Sequence, residues 1–251
     1  MNFNIVTSSI AALVMSASMA SAASIDLTTW SAEGSGNWTV QSGNDAVLQT
    51  INTPAPTVFH NNSTSSQGND LQGQITVGST WDDDFIGFVL GYNANDLSNS
   101  AASYLLVDWK RGTQDYQGTG LLGLSISQVS GELGNDSGAW AHDPANNVTE
   151  LARATNLGST GWNINQTYDF KIDFTATNVK VFVDDVLELD VSGVFADGGF
   201  GFYNYSQDNV TYAGITSDVL PDPSPVPLPA AGWMLLASLG GLAAAKRRKQ
   251  A

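Results

Sequence analysis

The chain has 251 residues, with 24 acidic side chains against nine Lys and Arg, which gives a formal net charge of −15. This acidity excludes a nucleic-acid partner, because phosphate binding requires a basic surface that displaces counterions. The 42% apolar and 10% aromatic residues exclude disorder of the whole chain, and the absence of Cys excludes disulfides, thiol catalysis and zinc–thiolate sites. The 25 Gly residues, with many Asn, Ser and Thr, indicate frequent turns and hence an all-β domain.

The first 23 residues are typical of a secretory signal peptide. The apolar run Ile10–Val14 is followed by small residues from Ala20 to Ala23, an arrangement typical of a signal-peptide cleavage site. No Lys or Arg precedes the apolar run. We therefore expect residues 1–23 to direct export and to be removed by cleavage after Ala22 or Ala23.

The middle of the chain, residues 24–220, has the apolar pattern of β-strands, with alternating or short solid runs bounded by Gly, Asn, Asp and Ser. The predicted strands are, in chain order, Asn37–Gln41, Ala46–Ile51, Leu71–Val77, Phe85–Tyr92, Ser103–Lys110, Leu121–Gln128, Tyr168–Phe174, Asn178–Asp184, Val186–Val191, Gly199–Tyr205 and Val210–Ile215. Asp184-Asp185 is predicted to form a hairpin turn, and only Val148–Ala154 offers a plausible helical turn. Ten or so strands in one unit of this length predict an all-β fold, a two-sheet sandwich of jelly-roll type.

The C-terminal part combines a stiff linker, an apolar segment and a basic end. Residues 221–229 are rich in proline, which predicts an extended spacer. The span Val226–Ala245 contains no charged residue and has the length that a transmembrane helix needs. By the positive-inside rule the basic end stays in the cytoplasm, with residues 24–220 outside. Its basic residues are Lys246, Arg247, Arg248 and Lys249.

The end of the chain resembles a known sorting signal. The residues that carry the resemblance are the motif Val226, Pro227, Leu228, Pro229 and Ala230, then Trp233, Gly240, Gly241 and the basic run. They are similar to a PEP-CTERM-type signal of the VPLPA variety, which covers residues 226–251. The resemblance implies a bacterial envelope protein whose tail is recognised and removed by an exosortase-like enzyme. The membrane helix then anchors the protein only until processing, which leaves it secreted or attached to the cell surface.

A second resemblance covers the middle of the chain from Trp30 to Val219. At its centre Asp82–Tyr92 reads DDDFIGFVLGY, which resembles a segment of the C-terminal lectin-like domain of thrombospondins. Further matches follow in order at Asn37-Trp38, Val47–Asn52, Tyr104–Lys110, Gly123–Ser125, Trp140, Gly161-Trp162, Tyr168 and Gly201–Gln207. The resemblance implies a sandwich similar to concanavalin and the L-type lectins, and it implies calcium binding. This sequence departs from the animal members in having no cysteine.

Asp82, Asp83 and Asp84 are the first candidate ligands for a metal ion. Three ionised carboxylates at adjacent positions repel each other unless a cation balances them. Strand alternation places Asp82 and Asp84 on one side and Asp83 on the other. Two carboxylates on one side, with backbone oxygens, begin the set of about six to eight oxygens that calcium prefers, and a solvated loop without an ion is the alternative. Weaker candidates, more typical of turns and loops, are Asp184, Asp185 and Asp208.

Aromatic residues at strand positions either pack a core or stack on sugars, and packing is the commoner role. The residues considered are Trp81, Trp109, Trp140, Trp162 and Tyr203. Trp140 and Trp162 lie in glycine-rich surroundings, which makes them the two candidates for contact with a ligand. The segment His142-Asp143-Pro144 is interpreted as a loop, because an adjacent Asp does not orient a catalytic histidine and no nucleophile motif accompanies it.

A glycosidase is the enzyme alternative that a sandwich fold raises. Such an enzyme needs two carboxyl groups about 5–10 Å apart on either side of the scissile bond. Glu188-Leu-Asp190 is the nearest approach to the Glu-x-Asp-x-(x)-Glu motif of sandwich glycosidases, and no second Glu follows it. The other glutamates of the middle segment, Glu33, Glu132 and Glu150, belong to no such motif. We therefore expect a protein without catalytic activity.

Together these features predict an exported, calcium-dependent binding or adhesion module whose partner is surface polysaccharide, matrix or another envelope protein. The alternative is a structural component of matrix or biofilm without a specific ligand. Loss of the tail removes four basic residues and no acid, so the mature domain is more acidic than the whole chain. Divalent cations then have a physical role as bridges between this acidic domain and acidic polymers.

Overall fold

The structure is a computed structural model that describes residues 23–63 and 65–221. The chain divides into two compact units, residues 1–219 and residues 220–251. Every strand and helix discussed below belongs to the first unit. Of the second unit, only its first two residues are described.

Three sequence predictions fall outside this described part of the chain. They are the signal peptide up to residue 22, the proline-rich linker from residue 222 onward, and the sorting signal at residues 226–251. They stay predictions. Among the helices that the structure does describe, none is long and apolar enough to cross a membrane.

Short antiparallel strands are the main regular structure of the described chain. In chain order they are β1 (Ala23–Ser24), β2 (Ser31–Glu33), β3 (Trp38–Val40), β4 (Val47–Gln49), β5 (Thr57–His60), β6 (Asn69–Val77), β7 (Phe85–Tyr92), β8 (Ser103–Lys110), β9 (Gln114–Asp115), β10 (Thr119–Gly120), β11 (Gly123–Ser130), β12 (Val148–Arg153), β13 (Thr167–Phe174), β14 (Asn178–Val183), β15 (Val186–Ser192), β16 (Gly199–Tyr205) and β17 (Val210–Ser217). One short α-helix, α1 (Ser137–Ala141), and three 3₁₀ turns, Leu27–Thr29, Asp96–Ser98 and Pro144–Asn146, complete the described elements.

The strands form two large antiparallel sheets. The first, an eight-stranded sheet, has the order β15-β14-β13-β6-β17-β4-β3, with β1 paired to β17. The second, a seven-stranded sheet, has the order β12-β11-β8-β7-β16-β5-β2, and β9 pairs with β10 as a separate hairpin. The predicted all-β sandwich of two sheets is therefore confirmed.

Period-2 alternation places the main core between the two sheets. On β13, Phe170, Ile172 and Phe174 are buried, and their neighbours along the strand are more exposed. The valines of β14 alternate in the same way, as half-buried antiparallel strands do. In the second sheet, by contrast, β7 is buried along its whole length, which confirms the predicted strand Phe85–Tyr92 and agrees with its place in the middle of the sheet.

A second, smaller core covers the outer face of the seven-stranded sheet, and α1 packs onto it. The helix begins because the Asp136 side chain accepts hydrogen bonds from the backbone N–H groups of Gly138, at 2.8 Å, and Ala139, at 3.4 Å. It presses Trp140 against Phe85 and Tyr205, with ring centroids 5.5 Å apart in both pairs. The smaller core and α1 together bury polar residues on this face of the sheet. The sequence pattern does not predict that burial.

One local prediction is wrong, and several short strands, β1, β2, β5, β9 and β10, are not predicted. Val148–Ala154 is not a helical turn, because Val148–Arg153 forms β12, which pairs with β11 at the sheet edge. The segment contains good helix formers, Leu151, Ala152 and Arg153. The ladder hydrogen bonds and burial of Val148 in the outer core outweigh their helix propensity. The strand β5 is missed because it is short and directly follows Pro56.

The predicted hairpin turn at Asp184-Asp185 is confirmed. Both residues adopt positive φ angles, 49° and 63°, which a two-residue turn matching the twist of its strands requires. The Asp184 carboxylate accepts a hydrogen bond of 2.9 Å from the backbone N–H of Asp169. These two acids are therefore turn residues, at the end of β14.

Candidate metal centre

The acidic triplet Asp82–Asp84 lies in the loop directly before β7. One carboxylate oxygen of each residue lies within 4.8 Å of one from each of the others. Asp82 and Asp84 are buried, and the Asp83 side chain is 32% exposed. Strand alternation predicts that Asp83 points away from its neighbours, but the three residues precede the strand and the loop backbone turns. All three predicted metal ligands are therefore brought together.

Asp82 is held by amide groups of its surroundings. Its carboxylate accepts a hydrogen bond from the side-chain amide of Asn52 and one of 3.0 Å from the backbone N–H of Asp83. Burial, followed by the negative charge of Asp84, raises the pKa of the Asp82 carboxyl to about 7. Both effects disfavour the ionised form, and the hydrogen bond from the Asp83 backbone N–H offsets them only in part.

Lys110 supplies one positive charge to this acidic group. It lies opposite Phe85 in the β7–β8 ladder, and its fully buried ammonium group contacts the Asp84 carboxylate directly. The same nitrogen donates to Gln114 Oε1 at 2.9 Å and lies 4.6 Å from the centre of the Trp140 ring. Lys110 therefore balances one of three carboxylates. The sequence pattern places Lys110 only at the end of a strand, and only the strand register reveals its partner.

Further oxygen atoms lie on the loops around the triplet. The loop 78–84 meets the loop 206–209, where the backbone N–H of Gly78 donates to Asn209 O at 2.8 Å. Ser79 Oγ and Asp208 Oδ1 on these loops are buried and find no hydrogen-bond partner among the described residues. Carboxylate and carbonyl oxygens are the protein ligands that calcium prefers. The predicted weaker candidate Asp208 is therefore on a neighbouring loop, whereas the acids of the β14–β15 turn are not.

Trp140 and Trp162 have packing roles, and burial contradicts the prediction that they contact a ligand. Only 3% and 1% of their surfaces are exposed, so neither ring offers a face to a sugar. The Trp162 indole N–H donates to Asp84 O at 3.1 Å, and Trp140 lies over Lys110. Trp162 therefore holds the loop of the acidic triplet, and Trp140 packs on the lysine that pairs with Asp84. Of the other aromatic residues considered, Trp109 and Tyr203 are buried and Trp81 is 68% exposed.

His142 lies in a loop directly after α1, as predicted, but its side chain is buried between acidic groups. It ends α1 in the left-handed conformation and brings its two ring nitrogens to two carboxylates, Asp108 at 2.9 Å and Glu150 at 3.2 Å. Burial lowers the pKa of the imidazole, but Asp108 and Glu150 outweigh it and raise the pKa to about 9. Because carboxylates only accept hydrogen bonds, both ring nitrogens donate, so the histidine carries a positive charge. No local sequence signal reveals this cluster, because its members come from separate elements.

Glu188, the glutamate nearest to a glycosidase motif, is also tied into the structure. Its carboxylate accepts hydrogen bonds from the backbone N–H groups of Asn156, at 2.8 Å, and Leu157, at 3.1 Å. The side-chain amide of Asn156 donates to its second oxygen at 3.2 Å. The buried Glu188 therefore anchors the loop that follows β12.

Known proteins share this architecture. One similar solved structure is the carbohydrate binding module CBM66 from Bacillus subtilis, with a TM-score of 0.51 and 14% identity; the match covers 76% of this chain and 95% of that one. Another is the VIP36 exoplasmic/lumenal domain in its Ca²⁺/Man-bound form, with a TM-score of 0.53 and 16% identity; the match covers 79% of this chain and 86% of that one. At these identities the likeness concerns the fold alone.

The sequence itself matches a known family. Thrombospondin-3b from Danio rerio is 25% identical over 210 residues, which cover 74% of this chain. The match spans about a fifth of that relative, 21% of its length. The family model described as the thrombospondin C-terminal region matches residues 33–219, which contain the strands from β3 to β17 and the acidic triplet. The chain therefore belongs to the thrombospondin C-terminal region family.

Proposed function

We propose that this chain is an exported, non-catalytic binding module that holds calcium at Asp82, Asp83 and Asp84 and attaches to polysaccharide or matrix at the bacterial cell surface. The convergence of three carboxylates in one loop is the observation that carries the proposal. Membership of the thrombospondin C-terminal region family supports it. A carbohydrate binding module and a domain in a Ca²⁺/Man-bound form have the same fold, which is consistent with a glycan as the ligand.

The charge balance of the loop supports a divalent cation. When Asp82 is ionised, three carboxylates against the single ammonium of Lys110 leave two negative charges in a largely buried place, and the pKa of Asp82 raised to about 7 indicates that this state is unfavourable without a further cation. A bound calcium ion offsets this charge and takes oxygen ligands of the kind present on the surrounding loops. The ion would also fix loop 78–84 against loop 206–209, so the proposal assigns calcium a structural role at this end of the sandwich.

Calcium is expected to raise the melting temperature of the purified protein by about 5–10 °C at a concentration of roughly a hundred times its dissociation constant. The ion binds the folded state and not the unfolded chain, so its binding energy adds to the stability. Differential scanning calorimetry with calcium and with EDTA measures the change. Asp83→Asn removes the most exposed of the three carboxylates and should abolish most of the calcium response.

A matched control is Asp185→Asn, which neutralises an exposed acid in the β14–β15 turn. This variant should keep the full calcium response, because residue 185 lies in a turn of the other sheet. Identical melting temperatures in calcium and in EDTA would count decisively against the metal centre. An equal loss of response in both variants would mean that general surface charge, rather than the triplet, takes up the ion.

The sorting signal at residues 226–251 belongs to the same proposal. Its VPLPA motif and terminal basic run support export followed by removal of the tail. Intact-mass measurement of the protein recovered from the cell surface or medium is expected to show loss of the N-terminal signal and of the basic residues from Lys246 to Lys249. A surface protein that retains its basic tail would contradict processing.

A further inference from the structure

The outer face of the eight-stranded sheet contains an open groove of about 720 Å³. It lies above β6, β13, β14 and β17, on the opposite face of the sheet from the main core. The side chains that matter for its chemistry are Gln72, Gln74, Asp169, Lys171, Phe182 and Thr216. The groove is separate from the metal centre, which lies in the loop before β7 of the other sheet.

A bulge in β17 creates the groove. The pairing of β17 with β6 shifts register between Ala213 and Thr216, and Gly214 between them has a φ of +61°. A bulge bends its strand and increases the local twist. A side chain at Gly214 would meet no atom within 4 Å, so the surface here is open. The strand therefore leaves unfilled space above the neighbouring strands.

A continuous row of side chains crosses the groove at right angles to the strands, with one residue on each strand from β17 to β15. The strand registers align Thr216 with Gln72, Gln72 with Lys171, Lys171 with Phe182 and Phe182 with Leu187. Five strands at a spacing of about 4.8 Å make this row about 19 Å long. The row is polar at the β17 end and apolar at the β15 end, where Phe182 is half-buried and Leu187 is 40% exposed.

The charges in the groove restrict what it can bind. The ammonium group of Lys171 is 3.2 Å from Asp173 and 3.8 Å from Asp70, so its charge is already balanced. It also lies 5.9 Å from the centre of the Phe182 ring, so a sugar on that ring would lie beside this side chain. Asp169 accepts a hydrogen bond of 2.9 Å from Gln74 and adds a negative charge. An anionic polymer is therefore repelled. The apolar part consists of one ring and one leucine, which is small for the core of a protein–protein interface.

We propose that this groove binds a neutral glycan chain, with a sugar ring stacked on Phe182 and its hydroxyl groups bonded to Gln72, Gln74 and Thr216. A sugar ring has an apolar C–H face and a polar rim, which matches an aromatic side chain beside amide and hydroxyl groups. The inference rests on the proposed polysaccharide-binding function and assigns it a position and a ligand class. The calcium ion then stabilises the fold and does not contact the sugar.

Affinity electrophoresis of the full protein in gels containing yeast mannan, laminarin or hydroxyethyl cellulose tests the inference, with polygalacturonate as the anionic comparison. At least one neutral polymer is expected to retard the wild type, and polygalacturonate is not. Phe182→Ala should weaken the retardation about ten-fold, because it removes the stacking surface. Gln72→Ala should weaken it less, since one hydrogen-bonding group is lost. The melting temperature of each variant establishes that it is folded.

Trp81→Ala is the matched control, because it removes an exposed aromatic ring beside the metal centre instead. Its retardation should equal that of the wild type. Loss of glycan binding in Trp81→Ala with normal binding in Phe182→Ala would refute the groove as the glycan site but would leave the proposed polysaccharide-binding function standing. If none of the neutral polymers retards the wild type, the groove is likewise refuted as a site for a neutral glycan. A dimer in sedimentation that Phe182→Ala dissociates would show that a second copy of the chain covers this face and would also refute the inference.

Discussion

Replacing Lys110 with methionine is expected to lower the free energy of unfolding by about 3–5 kcal/mol in calcium-free buffer. Methionine keeps much of the apolar stem that packs against Phe85 and Trp140 but removes the ammonium group. The buried carboxylate of Asp84 then has no cation beside it among the described residues. An unpaired buried charge is far less favourable than a buried pair, which is why one substitution has so large an effect. Urea unfolding at neutral pH measures the loss.

The double variant Asp84→Asn with Lys110→Met separates charge from packing. Removing both charges should restore a large part of the stability, because no buried group is then left uncompensated. Calcium should also reduce the loss caused by Lys110→Met, since a divalent cation in the triplet replaces the missing ammonium. A single variant as stable as the wild type in EDTA would show that Lys110 does not balance the acidic loop.

Raising the pH from 6.5 to 9 is expected to remove up to about 3 kcal/mol of stability through His142. An unfolded histidine titrates near pH 6.5, whereas the Asp108 and Glu150 carboxylates raise the pKa of buried His142 to about 9. The folded state therefore binds this proton more tightly than the unfolded chain. The resulting stabilisation is complete below pH 6.5, declines as the pH rises, and is absent above pH 9. Urea unfolding at several pH values follows the decline.

His142→Asn is the matched variant for this measurement. Asparagine tolerates the left-handed conformation, with a φ of 51°, that His142 adopts at the end of α1. It does not titrate, so the variant should be less stable at pH 6 and should lose less stability than the wild type between pH 6.5 and 9. Arg153, 2.9 Å from Glu150, partly balances that carboxylate in both proteins. Equal pH dependence of the two proteins would refute the charged state of His142.

Hydrophobic periodicity determined most of the strands of this protein. The predicted bounds of β7, β8 and β16 agree with the structure, because these strands are long, apolar and clearly bounded by turn residues. Edge and short strands were harder to predict. The segment Val148–Arg153 has a helix-favouring composition, and its pairing with β11 decides its structure. Pairing between distant segments contributes energy that no local window of sequence contains.

The acidic triplet was visible in the sequence because its members are adjacent, so their mutual repulsion follows from the chain alone. Its partner Lys110 was not, because only the β7–β8 register places the ammonium group beside Asp84. The same holds for His142 with Asp108 and Glu150, which a short helix brings together over the sheet. The sequence alone determined an acidic, cysteine-free chain and predicted its two-sheet sandwich, and it carries a motif that predicts a terminal sorting signal. Tertiary packing decided which charges are buried and paired and where the sheet opens into a groove, because these depend on contacts between residues far apart in the chain.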